Sequence, residues 1–308
     1  MIGGFVAAVC LVVSSAAAGS LTPANSNLAE AARLRDVYDL ILDARFDQAA
    51  AQLSKTCPPA PAGACAALGA VSLQWQILIE PESRQIDQRL KAAAAEAIAV
   101  NSAWTDREPR SAEAWFYLAG SYAPLAQLRV LRTERLAAAR DGNTIRTALE
   151  RALQLDPMLY DAYFGIGLYH YYAAVAPMYA RVLRWLLLLP GGDRARGLQE
   201  MLRARAHGEL LAGEADFQLQ QVYLWYERRT REALALLESL DARYPHNSIF
   251  LERTAEVYDV YVHDARASTN AWETLRDRAR NARVASARLV EARADRKLRE
   301  LGARRAKN

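Results

Sequence analysis

Apolar residues in this chain recur at three- and four-residue intervals from residue 28 to residue 301, the period of helices that bury one face. Leu34, Val37, Tyr38, Ile41 and Leu42 set the pattern in the first stretch, 28–44, and a second helix is predicted over 46–53. The next pair covers 66–79 and 86–100, broken at Glu80-Pro81-Glu82-Ser83. Ser111 is a good N-cap for a long helix toward Arg140, with Asp141-Gly142-Asn143 as the turn before 144–155. Further helices are predicted over 160–174, 195–211, 215–227, 231–243, 248–263 and 265–301. No window alternates apolar and polar positions with β-branched residues, so no sheet is expected. Ala makes up about a fifth of the 308 residues, which favours helix further.

The chain also resembles itself. Ala114-Trp115-Phe116-Tyr117-Leu118-Ala119 aligns with Ala162-Tyr163-Phe164-Gly165-Ile166-Gly167, and a fainter copy lies at Leu68-Gly69. Small residues at Gly69, Ala119 and Gly167 suit close helix approach, and the aromatic residues suit the space between hairpins. A further unit runs from Phe217 through Ala233, Leu237 and Leu240 to Pro245, with Gln221 where a Gly is usual. These features resemble the tetratricopeptide (TPR) repeat over about 66–263, with helices lengthened so that the earlier copies recur at about 50 residues rather than 34. A weaker likeness, over 162–197, is to degenerate TPR proteins of the eukaryotic inclusion-body-clearance type, and no function is carried from it. The resemblance implies an all-α fold of stacked helix hairpins, a TPR-like α-solenoid with a concave binding surface. In it Trp115, Leu118, Ala119, Tyr163, Gly167, Phe217, Ala233 and Pro245 are packing residues.

Residues 1–20 join an apolar run, Ile2 to Val13, to small residues with Ala16 and Ala18 in an A-x-A pattern. That pattern predicts a cleavable export signal without the usual basic start, the alternative being a short membrane anchor or a buried N-terminal helix. Export gives Cys57 and Cys65 a meaning, because the Pro- and Gly-rich loop between them can bring the thiols together in an oxidising compartment. Two unpaired thiols beside a loop is the alternative. Residues 21–263 then form the repeat domain and 264–308 a basic capping helix and tail. The tail carries 13 Arg/Lys against 6 Asp/Glu, a net of +7, while the rest of the chain carries a net of −3. A polar outer face at a solenoid end explains such a helix without nucleic acid.

Chemistry is sparse. The four His (His170, His207, His246, His263) lie far apart, and there is no zinc-ligand spacing, phosphate-binding Gly loop or nucleophile elbow. No enzymatic role, metal or cofactor is expected. Arg181, Arg184, Trp185, Leu187 and Leu188 belong to an apolar segment ending at Pro190 that suits contact with a protein partner. The same segment could instead pack in the core or rest on a membrane surface. The sequence thus points to a non-enzymatic protein-binding scaffold or adaptor of the bacterial cell envelope. The alternative is a peripheral membrane or envelope-lipid component using 185–189.

Overall fold

The computed structural model describes residues 28–176 and 190–305. The expected signal at 1–20 and the partner-binding residues Arg181, Arg184, Trp185, Leu187 and Leu188 lie outside the described residues. Among the described residues the secondary structure is helical, with no strand. The first helices are α1 (Ala31–Leu42), α2 (Phe46–Thr56), α3 (Ala62–Ile79) and α4 (Asp87–Arg107). They are followed by α5 (Ala112–Leu131), α6 (Arg135–Leu155), α7 (Ala162–Val175) and α8 (Arg194–His207). The last are α9 (Ala212–Trp225), α10 (Thr230–Arg243), α11 (Ser248–Val257), α12 (Ala265–Arg280) and α13 (Ala287–Arg305). Neighbours in sequence pack as neighbours in space, and the molecule is an all-α stack of helix hairpins.

The self-similar segments behave alike. The Trp115 indole N–H donates to the carbonyl of Pro109 at 3.1 Å, and the Tyr163 hydroxyl to that of Pro157 at 3.2 Å. Each donor is six residues beyond its acceptor, at equivalent places in the two copies. Leu118, Ala119, Gly167, Phe217 and Ala233 are buried, while Trp115, Tyr163 and Pro245 are partly exposed at hairpin ends. Gly167 is where two backbones meet, since a Cβ there would lie 2.8 Å from the Gly197 carbonyl oxygen and 2.9 Å from the Met201 nitrogen. Gly69 departs from the expectation, because a Cβ there meets nothing within 4 Å. The close approach of α3 to α4 lies instead at Gly63, whose carbonyl accepts from Asn101 Nδ2 at 3.0 Å.

Two boundaries differ from the sequence reading. Asp141-Gly142-Asn143 is not a turn but the middle of α6, and the chain reverses at Arg132–Thr133–Glu134, with Thr133 at φ 63°. Asp141 faces inward and pairs with Arg129, so its polarity marks a buried ion pair rather than a loop. The single helix expected over 265–301 is a hairpin, turning between Arg280 and Ala287 through Ala282 and Ser286, both at positive φ. Trp272, Leu275, Val290, Ala294 and Leu301 give it a core of its own. Two of its basic residues are anchored to the preceding helices: Arg278 chelates Asp241, and Arg293 chelates Glu252.

The stack also closes on itself. The stripe Leu34, Val37, Tyr38, Ile41 and Leu42 is buried as its periodicity requires, and beside its neighbours α2 and α3 the helix also meets residues some 200 positions away. Tyr244 Oη donates to Asp39 Oδ1 at 2.7 Å, His246 Nδ1 sits 2.8 Å from Asp43 Oδ2, and Asn247 Nδ2 donates to the Leu42 carbonyl at 2.7 Å. From α3, Trp75 packs between Phe217 and Phe250, with ring centroids 5.0 and 6.0 Å away. The Ala29 N–H donates to Glu113 of α5 at 2.8 Å. Thus α1 and α3 fill the space between α5, α9 and α11, where an open solenoid would offer its hollow to a partner. The short loop after α2 is closed by the Cys57–Cys65 disulfide, with Cα atoms 6.2 Å apart, inside the range a disulfide spans.

Candidate functional site

Three places concentrate polar groups in unusual settings. The first is Glu214 on α9, which is buried. Its Oε2 accepts from Tyr38 Oη at 3.1 Å and Trp75 Nε1 at 3.2 Å, and its Oε1 from Gln218 Nε2 at 3.4 Å. No cation pairs with it among the described residues, and burial pushes its carboxyl above the usual range. It serves as a latch joining α1, α3 and α9. Because its proton is held more tightly folded than unfolded, its contribution is complete below the ordinary carboxylate pKa and is lost as pH rises through the folded value. Glu214→Gln keeps an acceptor for Tyr38 and Trp75. It should raise the melting temperature at pH 8 and leave it unchanged at pH 4; a lower melting temperature at pH 8 would show that the ionised carboxylate is needed.

The second is a wide groove of about 640 Å³ between α1 and α10, bordered by Asp36, Asp39, Asp43, Arg45 and Arg243. Asp39 and Asp43 are already engaged by Tyr244 and by the backbone N–H and ring of His246. They hold the closure of the stack.

The third is the groove beside the end of α11. Here the chain leaves α-geometry for a single π-helical turn, Tyr258–Val262, a rare local widening that in other proteins often accompanies function. The turn ends at His263, in the left-handed region at φ 59°, and is fixed by Tyr258 Oη donating to Glu238 at 2.8 Å. It turns Val260 and Tyr261 outward, 57% and 43% exposed, toward Trp225 at the end of α9, which is 48% exposed. The three border a cleft of about 260 Å³ whose lining also includes Val257, Trp272 and Lys297. The hairpin α12–α13, read from sequence as a solvated basic tail, supplies this wall.

Gln220, also in the lining, is only 1% exposed, and its Nε2 has no hydrogen-bond partner among the described residues. An unmet buried donor costs about 1–3 kcal/mol. The charged residues around the cleft are already paired: Arg253 with Glu256 at 2.9 Å, Asp259 with Arg304 at 2.8 Å and Lys297 with Glu300 at 3.3 Å. The cleft therefore offers aromatic and aliphatic walls and a rim of paired charges.

Sequence reasoning passed over this site. Its one legible signal is Gln220 itself, a polar residue between Leu219 and Val222 on the buried side of α9. The aromatic residues of α7 and the turn before it fall elsewhere: Phe164 and Tyr171 are core, and Tyr160 and Tyr163 carry the guanidinium of Arg203 at 5.1 and 4.3 Å. His170, with Nδ1 2.6 Å from Glu200 Oε2, ties α7 to α8, and no Ser or Cys nucleophile accompanies it. No group of three or more metal-ligating side chains occurs among the described residues. No protein-family pattern matches the chain, and no curated protein is significantly similar to it.

Proposed function

We propose that this chain is a non-enzymatic adaptor of TPR type, exported to the cell envelope, that binds a polypeptide partner at the π-turn cleft. The observation that carries the reading is the exposed cluster Trp225, Val260 and Tyr261 bordering one cleft. Apolar side chains exposed together in a concavity suit a surface that is completed by binding. Export is supported by the signal-like pattern of residues 1–20 and by the Cys57–Cys65 disulfide, which persists in oxidising compartments. The packing of α1 and α3 inside the stack supports a docking surface on its outer, C-terminal part.

Panning a random-peptide display library on the full-length chain tests this, with Val260→Asp as the counter-selected surface. Val260 is more than half exposed, so the variant should melt within about 0.5 kcal/mol of the parent. Enrichment of peptides that bind the parent and lose at least tenfold on the variant supports the reading. A library that yields no binders, or only binders indifferent to Val260→Asp, overturns it.

A further inference from the structure

The outer face of the last helix carries charge that the fold does not use. We propose that α13, on a face separate from the cleft, rests on a membrane surface containing anionic phospholipid, with Arg288, Arg296 and Arg299 against the headgroup phosphates.

The two sides of α13 have opposite characters. Val290, Ala294 and Leu301 are buried in the core of the α12–α13 hairpin. On the opposite side Arg288, Ala292, Arg296, Arg299 and Ala303 share an arc of about 80°, and all five are exposed. At the helical rise the three arginines extend over about 16 Å.

The acids of this helix are already taken by cations outside the row. Glu291 pairs with Arg280 at 2.9 Å, Asp295 with Arg276 and Arg280 at 3.9 and 3.8 Å, and Glu300 with Lys297 at 3.3 Å. Arg288, Arg296 and Arg299 have no ion pair among the described residues. A face that only has to stay in water is better served by mixed signs, and like charges at i and i+3, as at Arg296 and Arg299, work against the helix.

Shape and chemistry select the partner. The row stands on the crown of a helix with alanine between Arg288 and Arg296, and none of the three arginines lines either cleft. A peptide docks through side chains that enter pockets, whereas this ridge suits a flat array of phosphates, each able to accept two N–H bonds from a guanidinium. A bilayer surface is such an array. Single-stranded nucleic acid is held by aromatic platforms between the cations, and the row has none. Leu289, 41% exposed beside Arg288, gains nothing from a chain of phosphates but meets the acyl boundary between headgroups. Because the apolar side of α13 is buried in the protein, the attachment is electrostatic and reversible.

Vesicle flotation of the full-length chain tests this, on bilayers of phosphatidylglycerol and phosphatidylcholine in equal parts and on phosphatidylcholine alone. The neutral bilayer measures any apolar contact from 2–13 or 185–189, so the difference between the two reports charge. An Arg at an anionic surface strengthens binding about fivefold, so replacing Arg288, Arg296 and Arg299 together by Gln should weaken the anionic-specific binding about 100-fold and leave the melting temperature unchanged. Added salt should weaken the parent in the same direction. Arg110, Arg140 and Arg231, exposed elsewhere, give a variant of the same net charge when replaced together by Gln, and it should float like the parent. Equal binding to the two bilayers, equal losses in the two triple variants, or no flotation at all would each overturn the proposal. A DNA duplex that binds the parent more tightly than the anionic bilayer, through the same three arginines, overturns it in favour of nucleic acid.

Discussion

Gly167→Leu should destabilise the protein by about 3 kcal/mol or more in chemical denaturation, the upper end of what overpacking costs. The reason is the nature of the neighbours. A Cβ at residue 167 meets the Gly197 oxygen at 2.8 Å and the Met201 nitrogen at 2.9 Å, both backbone atoms of α8, which cannot swing aside as a side chain can. Gly69→Ala should do the opposite and stabilise by about 0.5–1 kcal/mol, because it adds a methyl group to open space inside α3 and removes the entropic cost of a helical glycine. The contrast matters because the two glycines occupy equivalent places in the sequence repeat. If both substitutions prove neutral, the backbone crossing of α7 and α8 is looser than described here.

That pair also marks how far sequence reaches. The helices were legible because burial on one face imposes a period, and α1 and α10 fall within a few residues of expectation. The equivalence of Trp115 with Tyr163 was legible as well, and the two side chains make the same contact. What was not legible is anything decided between distant segments. Asp141-Gly142-Asn143 has the composition of a turn, and only Arg129 across the hairpin makes it the inside of a helix. The apolar stripe of α1 announces that it will be buried but carries no mark of its partners on α9 and beyond. The π-turn leaves no pattern in composition, and the cleft beside it rests on five separate elements.

Trp75→Ala should cost about 4 kcal/mol or more, measured by the same denaturation. Trp75 has no exposed surface, fills the space between Phe217 and Phe250, and gives its indole N–H to Glu214. Truncating a buried Trp costs about 3–5 kcal/mol, and the carboxyl left with one donor fewer adds to that. Trp225→Ala provides the comparison within the same protein. It removes the same side chain from a place where nearly half is exposed, and should shift stability by about 1 kcal/mol or less while abolishing capture at the cleft. A mild effect at Trp75 would mean that α3 is an outer layer rather than the filling of the stack.

The fastening of α1 and α3 to the far end of the chain has a consequence for how the protein is made. In an open repeat array each hairpin needs only the next one, so folding can begin at the end that leaves the ribosome first. Here the first three helices cannot complete their burial until the residues near 214, 246, 250 and 293 have been synthesised, because Trp75, Asp43 and the Ile79 carbonyl find their partners there. Contacts of such long range slow folding and join the two ends into one cooperative unit. For an exported chain, as proposed above, that delay keeps the N-terminal segment from completing its fold before the rest of the chain has been made.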